Sequence, residues 1–146
     1  MLYWLRVVSI LFAVAALAPA AAHAFSMASK LRLGASDYLA SQRAYDGWSL
    51  FGFVVAGALL SSLALAVALY RAGGAYVAAA LAFLCIAGTQ VIFWTFTFPA
   101  NRATENWTML PEGWEALRLQ WEYSHAGSAI LNAAALVLLV LSSVRN

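Results

Sequence analysis

The sequence predicts an all-α integral membrane protein, a four-helix bundle with a short interfacial helix between the first and second spans. Three observations lead there. The 146 residues are 64% hydrophobic and only 10% charged, whereas a soluble domain carries about 25% charged residues. The mean hydropathy is +0.81, more apolar surface than one small water-soluble core can hide. Four separate stretches each supply the roughly 20 mostly apolar residues needed to cross a bilayer. The expected organisation is a single transmembrane domain over 1–146. Two function classes drop out at once. The net charge is only +2 and its basic residues stand singly, so no nucleic-acid footprint exists. Cys85 is the sole cysteine, which excludes an internal disulfide and a cysteine-built metal site.

The first span covers about 2–25, interrupted by Arg6, Ser9, Pro19 and His23. It also carries the marks of a secretory signal: Arg6 near its start, an apolar centre, and "AHA" at 22–24. Retention is the reading taken, because it gives His23 a role in the bundle. The connection over 26–47 is too polar for lipid and too long for a turn. Within it, "GASDYLASQRAYDGW" offers Ser36 as a cap and Leu39, Arg43 and Tyr45 at near-helical spacing, which predicts the short interfacial helix. The second span covers about 48–70 and ends in "RAGGA", whose glycines admit a sharp reversal. The third, about 76–98, ends in "FWTFTFPANRATENW", where Trp94, Phe96 and Phe98 form an aromatic rim and Pro99 is expected to stop the helix. The fourth covers about 124–144, with an amphipathic lead-in from Glu112.

Charge distinguishes the two ends of such a bundle. One end carries Arg6, Arg71 and Arg145 and no acids; the other carries Lys30, Arg32, Arg43, Arg102 and Arg118 with all six acids. Basic residues near span ends mark the cytoplasmic side. A bare count favours the second end, while its longer loops and balancing acids weigh the other way. The reading taken places both termini in the cytoplasm and the two long connections outside.

The fourth span presents a polar stripe. At 100° per residue, Trp114, Glu115, Trp121, Glu122, His125 and Asn132 all fall within about 60° of Arg118. Leu119, Tyr123 and Ile130 lie opposite. Ionisable groups at membrane depth face a bundle interior or a wet cavity, so this stripe is expected to turn inward. Arg118 and Glu122 are expected to pair with each other or with the 99–107 segment, with Glu122 nearer the water and His125 about one turn deeper in the same pocket. Plainer readings stand beside this one: an interfacial Arg118–Glu122 pair, a tryptophan belt, and Asn132 as glue between helices. His23, at the end of the first span, reaches the same membrane side as His125. Gln90, Asn101 and Arg102 come from the third span and its extension. The polar groups therefore gather at one mouth of the bundle.

The stretch "FPANRATENWTMLPEGWEALRLQWEYSHAGSAIL" resembles the second half of the anthrone oxygenase-like family of small membrane proteins. There a Pro-x-Asn after the third helix precedes a Trp, Leu-Arg, Trp, His run into the fourth. The matching residues here are Pro99, Asn101, Trp114, Leu117, Arg118, Trp121 and His125. The first half matches more loosely, through His23, Lys30, Arg32, Tyr38, Gln42 and Tyr45. The chain departs from the family after the first span, reading "HAFSMASKL", with Ser26 and Ala28 where an acid and a proline are expected.

The resemblance implies cofactor-independent oxygenation of an activated aromatic ring by dioxygen. On that reading His125 is the base, held by Glu122 or by an opposing group, since imidazole titrates near working pH. Arg118, Asn101 or Asn132 would stabilise an oxyanion, Trp94 and Trp121 would wall the ring, and His23 and Arg102 would complete the ligand pocket. Two alternatives remain open. Glu-x-x-His is half of a di-iron helix motif, and His23 with His125 could ligate a haem; no metal ligand set is assigned. The small-residue face in "AGALLSSLALA" would suit an accessory subunit packed against other membrane proteins. The expected partners are membrane lipid, a hydrophobic small molecule and possible membrane subunits, and the expected location is a bacterial inner membrane.

Overall fold

The computed structural model describes residues 1–144; Arg145, counted in the charge asymmetry, lies outside them. Five helices are formed: α1 (Leu2–Lys30), α2 (Ala35–Gln42), α3 (Phe51–Arg71), α4 (Val77–Ala103) and α5 (Trp114–Val144). No strand occurs among the described residues. Four of the five are long and apolar enough to cross a membrane, and short α2 lies between the first and second of these. The long helices close a ring in which α1 and α4 each pack on both α3 and α5. The outward faces are apolar, with Leu11, Phe53, Leu60, Val91 and Ile130 all exposed. Lipid is the solvent such a surface suits.

Small side chains hold the far half of the bundle together. Ala13, Ala16, Ala58, Ala79, Ala82 and Ala135 are buried there around Leu65, Ile86 and Leu139. Without a hydrophobic drive between helices in lipid, close backbone approach and dispersion supply the association. Gly57 shows how close: a Cβ there would collide with the Phe12 ring of α1. At this end α3 and α4 join through the expected tight turn. Gly73 adopts a left-handed φ of 69°, and the Gly74 N–H donates to the Leu69 carbonyl at 2.9 Å.

Three boundaries differ from the sequence reading. Helix α1 runs beyond its apolar stretch to Lys30, because Ser26 and Ser29 return their hydroxyls to the helix's own carbonyls and nothing after His23 breaks it. Helix α2 begins after Gly34, an extended residue, so Ser36 lies inside the first turn and is not the cap. Helix α4 passes through Pro99 to Ala103. Proline removes a donor and clashes with the carbonyl four residues back. Here the turn before it, Phe93–Thr97, is π-helical, and that wider turn shifts the ladder so that the chain continues past the proline. Such π turns recur at functional sites.

Candidate functional site

The site end of the bundle is built on a buried ion pair. His23 and Lys30, seven residues apart, lie about 20° apart around α1, so the helix extension carries Lys30 onto the inward face. Its Nζ sits 2.8 Å from Glu122 Oε2, with Lys30 5% and Glu122 0% exposed at the side chain. At this distance the two form a close, charge-assisted pair. The other carboxylate oxygen accepts a hydrogen bond from the Tyr38 hydroxyl at 3.0 Å. Burial first, and the adjoining carboxylate second, hold the Tyr38 hydroxyl well above the usual phenol range, so it acts as a donor. The Lys30 ammonium also stands over the rings of Tyr45 and Trp121, at 5.2 and 5.1 Å from their centroids.

Arg118 locks the same corner from outside. Its guanidinium donates to the Leu33 carbonyl at 2.8 Å and stacks over Trp114 and Tyr38, 4.6 and 5.4 Å from the ring centroids. The stripe on α5 does turn inward. The partners of Arg118 and Glu122, however, come from 30–38 rather than from each other or from 99–107. The reason is the longer α1, which carries Lys30 from the expected 26–47 connection onto the helix's inward face. Glu122 is correspondingly fully buried, not poised near water.

The segment 99–107 has a different task. Asn101 Oδ1 accepts from the indole N–H groups of both Trp107, at 3.1 Å, and Trp121, at 2.7 Å. Thr104 Oγ1 accepts from the Trp107 backbone N–H at 3.1 Å. Glu105, Asn106 and Trp107 are all left-handed, with φ of 50°, 57° and 63°. A non-glycine residue in this region is uncommon and held only by its surroundings. Here that constraint drives the Trp107 ring beside Tyr38 and Trp121.

Next to this corner His23 and His125 stack, with centroids 4.2 Å apart and planes 26° from parallel. Trp121 stands edge-on to both rings, at 4.8 and 4.3 Å. The Nδ1 of His23 is 3.5 Å from the Lys30 ammonium. Two cavities meet at this pair. The outer one, about 450 Å³, is lined by His23 and His125 with Gln42, Asp46, Asn101 and Trp121 among others. The inner one, about 520 Å³, runs between the helices past Pro19, Ala20, Val55, Phe93 and Trp94 to Gln90, Ser128 and Asn132. Both histidines line it as well. Gly52 and Trp94 on its wall are exposed at the bundle surface, so it opens toward lipid between α3 and α4.

Of the residues singled out from sequence, His23, His125, Trp94 and Asn132 line the inner cavity, and His23, His125, Asn101 and Trp121 the outer. Glu122 and Arg118 line neither. Glu122 and His125 therefore do not share one pocket: the carboxylate faces Lys30 and Tyr38, and the imidazole faces the cavities. Arg102 is exposed and also lines neither. Tyr123 and Ile130, placed opposite the stripe, are 59% and 71% exposed. Sequence reasoning gave no role to Lys30 or Tyr38, the two partners of Glu122. The His23–Lys30 spacing was the available signal for the first.

Metal chemistry finds little footing in these side chains. Among the described residues no group of three or more His, Cys, Asp or Glu is placed to hold an ion. Comparison of the chain with family models, curated proteins and solved structures returns no match.

Proposed function

We propose that this small membrane protein takes a flat hydrophobic molecule from the bilayer into the inner cavity and removes a proton from it with the His23–His125 pair. The observation that carries this reading is the position of the pair. The same two imidazoles line an apolar chamber open toward lipid and a more polar chamber on the loop side. Imidazole is the side chain whose ordinary proton affinity suits general base work near neutral pH. His125 lies on the long rigid α5, and Trp121 packs edge-on to its ring, so the base is oriented before any ligand arrives.

The resemblance to the anthrone oxygenase-like family supplies the reaction proposed. A benzylic methylene flanked by aromatic rings gives one proton to imidazole, and the carbanion passes electrons to dioxygen. Completing the step converts the methylene to a ketone, with one O₂ consumed and one water released. The chain's own contribution is to bind, orient and deprotonate. Asn101 is committed to two indoles and Arg118 to a backbone carbonyl, so on this reading any developing oxyanion is met by Asn132, Gln90 or Ser128. The test is oxygen uptake and ketone formation with anthrone and the protein in lipid nanodiscs. The expected result is a protein-dependent rate that His125→Ala abolishes while the variant stays folded. A wild-type rate equal to that of empty nanodiscs would sink the proposed reaction.

A further inference from the structure

The inner end of the lipid-side cavity carries polar groups that the bundle itself leaves unused. Asn132 is 5% exposed, lines the cavity, and forms no side-chain hydrogen bond with any other described residue. A side-chain amide in such a place ordinarily bridges helices; here it lines the cavity instead. Asn132 therefore does not serve as glue. Ser128 lies one turn away on the same helix and the same wall. Gln90 faces them from α4, and its only side-chain bond is a 3.3 Å contact from Nε2 to Thr89 Oγ1. Its carbonyl oxygen is left over. Both donors and acceptors are thus available at this end.

The cavity has polar groups at two ends and a mostly apolar lining. His125 and Asn132 share one face of α5, separated by about 10 Å along the axis at 1.5 Å per residue. Ala20, Val55 and Phe93 line the same cavity, and Ser128 lies between the two on α5. A hydrogen bond at each end takes up about 2.8 Å, leaving roughly 5 Å for the molecule that joins them. That is close to the separation of two oxygens on opposite sides of a small fused aromatic system. From this we infer that the site selects a two-ended ligand: a flat apolar ring system whose reactive methylene or hydroxyl end meets the histidines and whose opposite end carries a hydroxyl or carbonyl read by Asn132 with Gln90. The inference rests on the proposed ligand site and adds a ligand class and a specificity-determining residue to it.

Naphthalene-1,5-diol and 1-naphthol make the test, because they share a ring and differ only in the second hydroxyl. Their affinities are measured by isothermal titration with the protein in nanodiscs, corrected for partition into empty ones. Wild type is expected to bind the diol about 10-fold more tightly, equal to about 1.4 kcal/mol. Asn132→Leu, similar in volume, should bring that ratio to about 1. Gln90→Leu should lower the ratio from the opposite wall, and His125→Ala should weaken both ligands. A wild-type ratio near 1, or a ratio that both Asn132→Leu and Gln90→Leu leave intact, overturns the two-ended inference and leaves the proposed function standing. Failure of wild type to bind either naphthol also overturns the two-ended inference, while the anthrone assay decides the proposed function on its own.

Discussion

Removing Lys30 should hurt this protein more than removing the carboxylate it pairs with. At 2.8 Å and an effective dielectric of 20, two unit charges attract by about 6 kcal/mol, most of which offsets the cost of taking both out of water. Lys30→Met leaves Glu122, fully buried, with only the Tyr38 hydroxyl. Breaking a buried pair from one side costs about 3–5 kcal/mol, and that is the loss expected. Glu122→Gln leaves the opposite orphan, but the ammonium still stands over Tyr45 and Trp121. Each such contact contributes about 0.5–2 kcal/mol, so this variant should lose roughly 2 kcal/mol less. The double variant carries no unpaired charge and should be more stable than Lys30→Met alone. Unfolding in mixed micelles of rising SDS fraction, followed by circular dichroism, gives all three values. A Lys30→Met loss below about 1 kcal/mol, or a double variant that loses the sum of the two singles, would refute the reasoning.

Three further outcomes are expected. Tyr38→Phe deletes a buried donor to a carboxylate and should cost about 1.5–3 kcal/mol. Because the folded hydroxyl titrates above its unfolded value near 10, wild type should lose stability as pH rises past about 10, and the variant should lack that alkaline slope. Asn101→Leu strands the indole N–H groups of Trp107 and Trp121 at about 1–3 kcal/mol each, visible as a lower melting temperature with altered tryptophan fluorescence. At Gly52 a Cβ meets nothing within 4 Å, so Gly52→Trp should leave stability near wild type while slowing 1-naphthol uptake from vesicles. Unchanged uptake kinetics would argue against entry between α3 and α4.

The bundle was legible because its signals are long. A 20-residue apolar stretch survives any error of a few residues, and the α5 stripe depends only on the 100° repeat. What escaped depends on where helices stop. Ending α1 at its last apolar residues put Lys30 in a loop, and with it vanished the counterion of Glu122. Composition marks where lipid begins, whereas the α1 helix continues wherever its hydrogen bonds continue, here five residues further. Pro99 misled for a related reason: a proline predicts a break only if the preceding turn is regular, and this one is π-helical. Tyr38 could not be assigned from spacing, since its partner lies 84 residues away.

The three-residue spacing of Glu122 and His125 takes on a different meaning in this light. Residues three apart on a helix point about 60° apart, close enough to lie on one face yet far enough to address different neighbours. Glu122 reaches Lys30 of α1 and Tyr38 of α2, and His125 reaches His23 of α1 and the cavities. Both contacts tie α5 to α1, one by charge and one by stacked rings, with Trp121 packed against the two histidines between them. The ion pair therefore fixes the rotation of α5 relative to α1, and that rotation sets how His125 meets His23. A buried carboxylate that lines neither cavity can still govern the imidazole one turn deeper, by holding the helix that carries it. Placing a charge and an imidazole on adjacent turns gives one helix both its anchor and its cavity-lining ring, without a loop to position either.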